Sequence, residues 1–408
     1  MGIVEDYLRR RERPIEVGVV GAGFMARGLI RHLTTSVPGM RVAAVCCRDP
    51  VALERAVGAG SWAVTEDVES LTGSPRIDVL VDVTGAVEYG AHVALTAIRD
   101  GKSLVSLNAE VDATVGPILD VLARDAGVAR SIADGDQPGV QLRLAEFAAR
   151  VGLVPRLMGN VKGLHDVRRN PTTQRAFAET WGQRPTMVTS FADGTKVNFE
   201  QCLVANALGF GVQATGMRGA DFDGHVDELV SHYDLDELRA MSGAVDYVVG
   251  ARPGPGVFCH AEASDTAQRE YLKLFKLGPG PLYCLYRPYH LCHLEVPTTI
   301  AATVGFGATL GPTPATTGRR PTVEVAAFAK VAVTAGTRLD GCGGYLTYGQ
   351  AVNAEEFRRA GLLPMGVAEG CVARTDIPVD RPLSYDDVEL PAGRVVDSLR
   401  ERQERLPG

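Results

Sequence analysis

Short apolar runs alternate with amphipathic stretches along the first third of the chain. Ile15 to Leu33, IEVGVVGAGFMARGLIRHL, has the pattern of a buried strand, a glycine turn and a helix. Arg41 to Arg48 predicts the second strand. Ile77 to Gly85 predicts another, ending in a glycine turn, and Ser103 to Leu107 and Ala129 to Ala133 predict two more. Strands that alternate with helical periodicity make a parallel, doubly wound α/β sheet. The N-terminal MGIVEDYLRRRERP predicts a short basic helix lying against this first domain.

The pattern changes near Gly139. A short strand ends at Val161 to His165, a helix is expected to begin at Arg168 to Pro171, and turns rich in Gly and Pro bound strand-like runs at Arg252 to Gly256 and Gly278 to Pro281. In TSFADGTKVNFEQCLVAN, Thr189 to Asn206, the residues Phe191 to Thr195 predict a turn with Asp193 or Thr195 as N-cap. Phe199, Leu203 and Ala207 then share one stripe of an amphipathic helix. Thr309 to Arg320 has the composition of a linker. Beyond it, Val323 to Lys330, Val331 to Thr334 and Gly370 to Ala373 predict the strands of a small β-rich module, and Val395 to Leu406 a charged helix.

A length of 408 residues exceeds one ordinary core, so two or three domains are expected. Apolar content of 45% and charged content of 22% are those of a water-soluble globular chain. The net charge of −7 argues against nucleic acid or an anionic membrane as partner. The eight cysteines include no CxxC pair and fit core positions in a reducing cytoplasm.

Chemistry enters at the glycine turn. Gly21, Gly23 and Ala26 form the G-x-G-x-x-A version of the dinucleotide fingerprint, with Phe24 and Met25 at the helix start. Such glycines give a tight turn and let a pyrophosphate approach backbone N–H groups. Ligands lie beyond the carboxyl ends of the strands, which places Thr84, Gly85, Asn108 and Glu110 near the nicotinamide. An NAD site usually has an acid at the end of the second strand. Here Cys47 and Arg48 stand there; Arg48 suits a 2′-phosphate, so NADP is expected, with NAD as the alternative if Asp49 supplies the acid.

Lys196 and Glu200 are four residues apart and share a helix face. They fit an exposed ion pair, and they equally fit a cation and a carboxylate that polarise a carbonyl and move a proton. In Tyr286 to Glu295, the histidines His290 and His293 with Glu295 lack the i,i+4 spacing of a helical zinc motif. His290 beside Arg287 is the better functional candidate.

The segments VGVVGAGFMARGL, LNAEVDATVGP, ADGDQPG, GNVKG, TSFADGTKVNFEQCLVAN, RPYHL, AKVAVTAGTRLDGCGGYLTYGQ and LLPMG together resemble one family. It is that of homoserine-dehydrogenase-like oxidoreductases with a C-terminal SAF (β-clip) domain, whose DRL-type members convert 1-deoxyxylulose 5-phosphate to 2-C-methylerythritol 4-phosphate with NADPH. The resemblance implies a Rossmann domain over residues 1–138, an α+β catalytic and oligomerisation domain over 139–308, a β-clip module over 322–392 and a terminal helix over 393–408. Homoserine dehydrogenases carry a lysine where Glu110 stands here, which favours a different substrate.

The implied function is an NADP-dependent reductase or reductoisomerase of a small phosphorylated or acidic polyol. Lys162, Lys196, Arg287 and His290 would supply cationic and hydrogen-bonding groups, and Glu200 and Asp193 would handle protons or a divalent ion. Metal dependence stays open. The alternatives are a plain dehydrogenase and a non-catalytic nucleotide-binding regulator. The C-terminal module is expected to supply no catalytic group, and the chain to work as a cytoplasmic homo-oligomer.

Overall fold

Each apolar run of the first third forms a strand in the computed structural model, which describes residues 3–313 and 316–408. The strands are β1 (Ile15–Val20), β2 (Met40–Cys46), β3 (Ala63–Thr65), β4 (Val79–Asp82), β5 (Ser103–Ser106) and β6 (Arg130–Ile132). All pair in parallel, in the order β3-β2-β1-β4-β5-β6. The helices are α1 (Ile3–Arg10), α2 (Phe24–Thr35), α3 (Pro50–Val57), α4 (Glu69–Thr72), α5 (Val87–Arg99) and α6 (Ala109–Asp125). The strand order reverses between β1 and β4, where open α/β sheets bind their ligands. Strand β3 had no apolar signal because it is three residues long and mostly exposed at the sheet edge.

Helix α7 (Gln137–Arg150) carries the chain into a second sheet, so the boundary expected after residue 138 falls inside its first turn. This sheet contains β7 (Val154–Lys162), β8 (Ala220–Asp221), β9 (Ala244–Val249), β10 (Gly256–Glu262) and β11 (Leu282–Arg287) in the order β11-β10-β7-β9-β8. Its helices are α8 (Arg175–Trp181), α9 (Pro185–Ala192), α10 (Thr195–Leu208), α11 (Leu235–Ala240), α12 (Thr266–Leu274) and α13 (Val296–Phe306). Arg168 to Pro171 form turns rather than a helix start, with Asp166 and Asn170 side chains accepting from nearby N–H groups. Helix α13 returns to the first sheet: Val296, Ile300 and Ala301 are buried in one core with Val17, Val19 and Val81.

Helix α10 is where sequence and structure differ most. An amphipathic, half-wet helix was expected, yet Thr195 through Ala205 are all buried, polar residues included. Its polar side chains each serve a different neighbour. Gln201 Nε2 donates to the Met158 and Asp246 carbonyls at 3.0 and 2.7 Å, between β7 and β9. Buried polar groups persist only when paired in this way. Asp193 Oδ1 accepts from Thr195 N–H at 2.9 Å, at the first helical residue, but neither expected residue holds the N-cap position itself. Gly194 does, at φ +83, and a Cβ there would collide with His165.

The C-terminal chain forms β12 (Val323–Ala329), β13 (Thr347–Asn353), β14 (Val372–Ala373) and β15 (Val388–Glu389), with α14 (Ala354–Arg359) and α15 (Val395–Gln403). β12 pairs with β13 and β14 with β15, both antiparallel. Val331 to Thr334 makes only a bridge, from Val333 to Ile377. Thr195 Oγ1 and Asn198 Oδ1 accept from the N–H groups of Gly349 and Ala351 at 3.0 and 2.7 Å, so α10 extends the hydrogen bonding of β13. Helix α15 turns back to the first domain. The Glu88 carboxylate accepts from Val395 and Val396 N–H, and buried Arg400 pairs with Glu324 at 2.8 Å. Residues 314 and 315 of the expected linker lie outside the described residues. Leu310 extends the sheet edge, accepting from Ile132 N–H at 2.9 Å.

Candidate active site

The glycine turn sets one wall. Gly21 sits at φ +121, its N–H donates to Cys46 O at 2.9 Å, and a Cβ there would come within 3.1 Å of Val83 O. Only glycine fits at low cost. Gly23 is the N-cap of α2, and a Cβ built on it would meet nothing within 4 Å. That open face at a helix N-terminus is what a pyrophosphate requires. The residues present therefore fit a dinucleotide.

From this turn a cavity of about 750 Å³ runs between the two sheets. Gly23, Phe24, Met25, Thr84 and Gly85 line it on the first domain's side. Lys162, Lys196, Glu200, His290, Asp136, Gln137 and Cys292 line it on the other. No residue beyond Cys292 reaches it among those described.

Lys196 and Glu200 are neither exposed nor paired with one another. Lys196 Nζ donates to both Glu110 oxygens, at 3.0 and 3.1 Å, across the domain boundary. Burial opposes its charge, but Glu110, with Asp136 and Glu200, holds the ammonium above the ordinary lysine range. Glu200 faces Asn160 Nδ2 at 3.4 Å and the Gln137 amide. Burial, with Asp136 adding to it, pushes its carboxyl up to about 8, against Lys196 and Lys162. Burial lowers Lys162, with Glu200 opposing. Among the described residues its Nζ makes no hydrogen bond or ion pair. The cavity thus holds a fixed cation, an adaptable amine and a carboxyl that keeps its proton near neutrality. Groups with displaced proton affinities in one cleft are what acid–base chemistry uses.

Several expected site residues serve other purposes. Asp193 is fully buried and pairs with Lys330 at 2.7 Å, away from the cavity, because an uncompensated carboxylate there would be costly. Arg287 pairs with Glu295 at 2.7 and 2.8 Å and stacks on Tyr289, so it braces the loop that carries His290. Asn108 caps α6 through Val111 N–H and ties Asp82 and Thr84 together, shaping the loop after β4 rather than facing the cavity. Glu110 is the partner of Lys196. Arg48 is exposed just past β2 and does not line the cavity. His293 packs on Gly28 of α2.

Asp136, Gln137 and Cys292 were not singled out from the sequence. Asp136 and Gln137 lie inside the segment ADGDQPG and Cys292 inside the histidine-rich run, where no spacing marks them. A Pro at the first turn of α7 was the available signal that Asp136 sits at a helix start.

Known proteins divide the chain at the same cavity. Residues 21–129 match the family model "Homoserine dehydrogenase, NAD binding domain", and residues 135–296 match "Oxidoreductase DRL, catalytic domain". The chain therefore carries a homoserine-dehydrogenase-type NAD-binding domain followed by a DRL-type oxidoreductase catalytic domain. The DRL match contains Lys162, Lys196, Glu200 and His290 together. Relatives include the homoserine dehydrogenase of Pseudomonas aeruginosa, 27% identical over 28% of each chain. The inositol 2-dehydrogenase 2 of Saccharopolyspora erythraea is 38% identical over 22% of this chain and 27% of its own. The match spans about a quarter of the length of these relatives. Among solved structures, apo scyllo-inositol dehydrogenase from Lactobacillus casei is similar at 12% identity and TM-score 0.42, covering 74% of this chain and 91% of that one. No helix among the described residues is long and apolar enough to cross a membrane.

Proposed function

We propose that the protein is an NADP-dependent reductase of a small phosphorylated or acidic sugar-like substrate, in a DRL-like reaction such as 1-deoxyxylulose 5-phosphate to 2-C-methylerythritol 4-phosphate. The observation that carries this is the convergence of Lys162, Lys196 and Glu200 on a cavity that opens at the Gly21–Gly23 turn. The bound nicotinamide supplies the hydride. Lys196, fixed by Glu110, donates hydrogen bonds to the carbonyl oxygen as it becomes an alkoxide. Glu200, still protonated near neutrality, gives that oxygen its proton. Lys162, with no hydrogen-bond or ion-pair partner among the described residues, suits the phosphate or carboxylate of the substrate. In an isomerising reaction the same Lys196 first stabilises the alkoxide of an α-ketol shift.

Preference for NADP rests on the second strand. Cys47 is buried, Arg48 is exposed, and Asp49 is engaged as the N-cap of α3, accepting from Ala52 N–H at 2.8 Å. Asp49 thus spends one oxygen on the helix start, and Arg48 beside it suits a 2′-phosphate.

The second reading is a plain dehydrogenase, favoured by the homoserine-dehydrogenase match over residues 21–129. NADPH oxidation with 1-deoxyxylulose 5-phosphate and other sugar phosphates, beside NAD(P)⁺ reduction with homoserine and inositols, separates the two. The proposal expects turnover in the first set. Turnover with homoserine or an inositol alone overturns it.

A further inference from the structure

We propose that Asp136, His290 and Cys292 form a binding site for a divalent cation of the zinc class, open toward the cavity. One carboxylate oxygen, one ring nitrogen and one sulfur lie within 4.8 Å of one another. His290 Nδ1 stands 3.2 Å from Cys292 Sγ, and Sγ stands 4.0 Å from Asp136 Oδ1. Tetrahedral zinc, with bonds of about 2.0–2.3 Å, needs about 3.6 Å for each of these separations. The observed pair brackets that value. A sulfur ligand disfavours calcium and magnesium, while sulfur, imidazole and carboxylate together suit zinc. Three protein ligands with a vacant fourth position are the pattern of reactive zinc sites.

The three side chains are held for this purpose by their surroundings. Asp136 is the N-cap of α7, yet its carboxylate caps nothing. His290 Nε2 faces the Gln137 amide at 3.3 Å. The Gln137 orientation that satisfies its neighbours accepts from Nε2–H and donates to Glu200 at 3.1 Å. That tautomer leaves the Nδ1 lone pair directed at Cys292, the outer-shell arrangement usual for a ligating histidine. Cys292 itself has φ 33, a strained left-handed conformation for a residue with a side chain. Its N–H donates to Gly135 O at 2.7 Å, and Gly135, at φ +83, has no room for a Cβ against Cys292 O. The backbone is locked so that Sγ meets Asp136.

All three residues line the same cavity as Lys196 and Glu200. A cation held by these residues would border the same cavity and would supply Lewis-acid chemistry to a substrate oxygen there. This role rests on the proposed function; the binding does not.

The test uses the full chain, stripped with a chelator and titrated with Co²⁺. One Co²⁺ per chain is expected, with a thiolate-to-cobalt charge-transfer band and intense tetrahedral d–d bands, all displaced by Zn²⁺. Cys292→Ser should abolish the charge-transfer band while Cys259→Ser keeps it, and Gln137→Leu should weaken Co²⁺ binding about 10–100-fold. X-ray absorption on the parent chain loaded with zinc needs no variant and should count one sulfur among nitrogen and oxygen ligands. A parent chain with no such band or no sulfur ligand, or a band that survives in Cys292→Ser, overturns the inference. Turnover without metal binding defeats this inference alone; metal binding without turnover on sugar phosphates defeats the proposed function alone.

Discussion

Replacing Lys196 by Met separates the two things that lysine does. Lys196 and Glu110 are both buried, with side-chain exposures of 9% and 4%. At an effective dielectric constant of about 20, unit charges about 4 Å apart attract by about 4 kcal/mol. Removing one partner leaves a buried charge, which costs about 3–5 kcal/mol. Lys196→Met should therefore lower stability by that amount, read as a shift in the denaturation midpoint. Glu110→Gln should do the same from the other side. The double variant, which buries no charge, should recover most of the stability, since neutral replacements of a buried pair are often tolerated. Turnover should not recover. An ammonium that meets a developing alkoxide contributes about a hundredfold or more, and the double variant still lacks it. The assay is NADPH oxidation with the productive sugar phosphate, run beside urea denaturation of each variant. If turnover returns with stability in the double variant, Lys196 is a structural residue and the mechanism proposed for it is wrong. If Lys196→Met is as stable as the parent, the pair is not a coupled buried pair.

Glu200→Gln should lower turnover about 10²–10⁴-fold and remove a fall in kcat/KM centred near pH 8, the proton affinity of the buried carboxyl. The same carboxyl binds its proton more tightly in the folded chain, so its contribution to stability is present at low pH and is lost as pH rises through about 8; Glu200→Gln should flatten that loss in urea denaturation curves taken from pH 6 to 9. Gly23→Val fills the open face at the start of α2 and should abolish dinucleotide binding in calorimetry while the fold persists. Arg48→Ala should weaken NADPH and leave NADH unchanged; equal effects on both would make Arg48 a surface residue. Deleting residues 393–408 should lower the melting temperature, because it exposes the α5–α6 face and leaves Glu324 buried without Arg400.

The first sheet was legible because its signals are local. A buried parallel strand is an apolar run, and a glycine turn has a spacing, so neither needs a distant partner to be recognised. Four of the expected residues line one cavity, and their pairing partners are what spacing does not report. Lys196, Glu200, Lys162 and His290 do meet at one cavity, but spacing within a helix suggested that Lys196 and Glu200 pair with each other. Helical neighbours pair only when nothing better is near, and α10 is enclosed on every side. Its lysine therefore found Glu110, 86 residues earlier, and Glu200 was left beside Gln137 and Asn160 with its proton. The same enclosure explains Asp193, which Lys330 neutralises from the C-terminal module. Periodicity reports which residues share a face; it carries no information about which charge lies across a domain boundary. In the proposed mechanism that cross-boundary pairing lets the first domain orient the ammonium of Lys196 toward the cavity. The carboxylate at position 110 thus accompanies a lysine brought in by α10. The same helix, α6, thus holds Lys196 through Glu110 and, through its N-cap Asn108, the loop of Thr84 and Gly85 that lines the cavity.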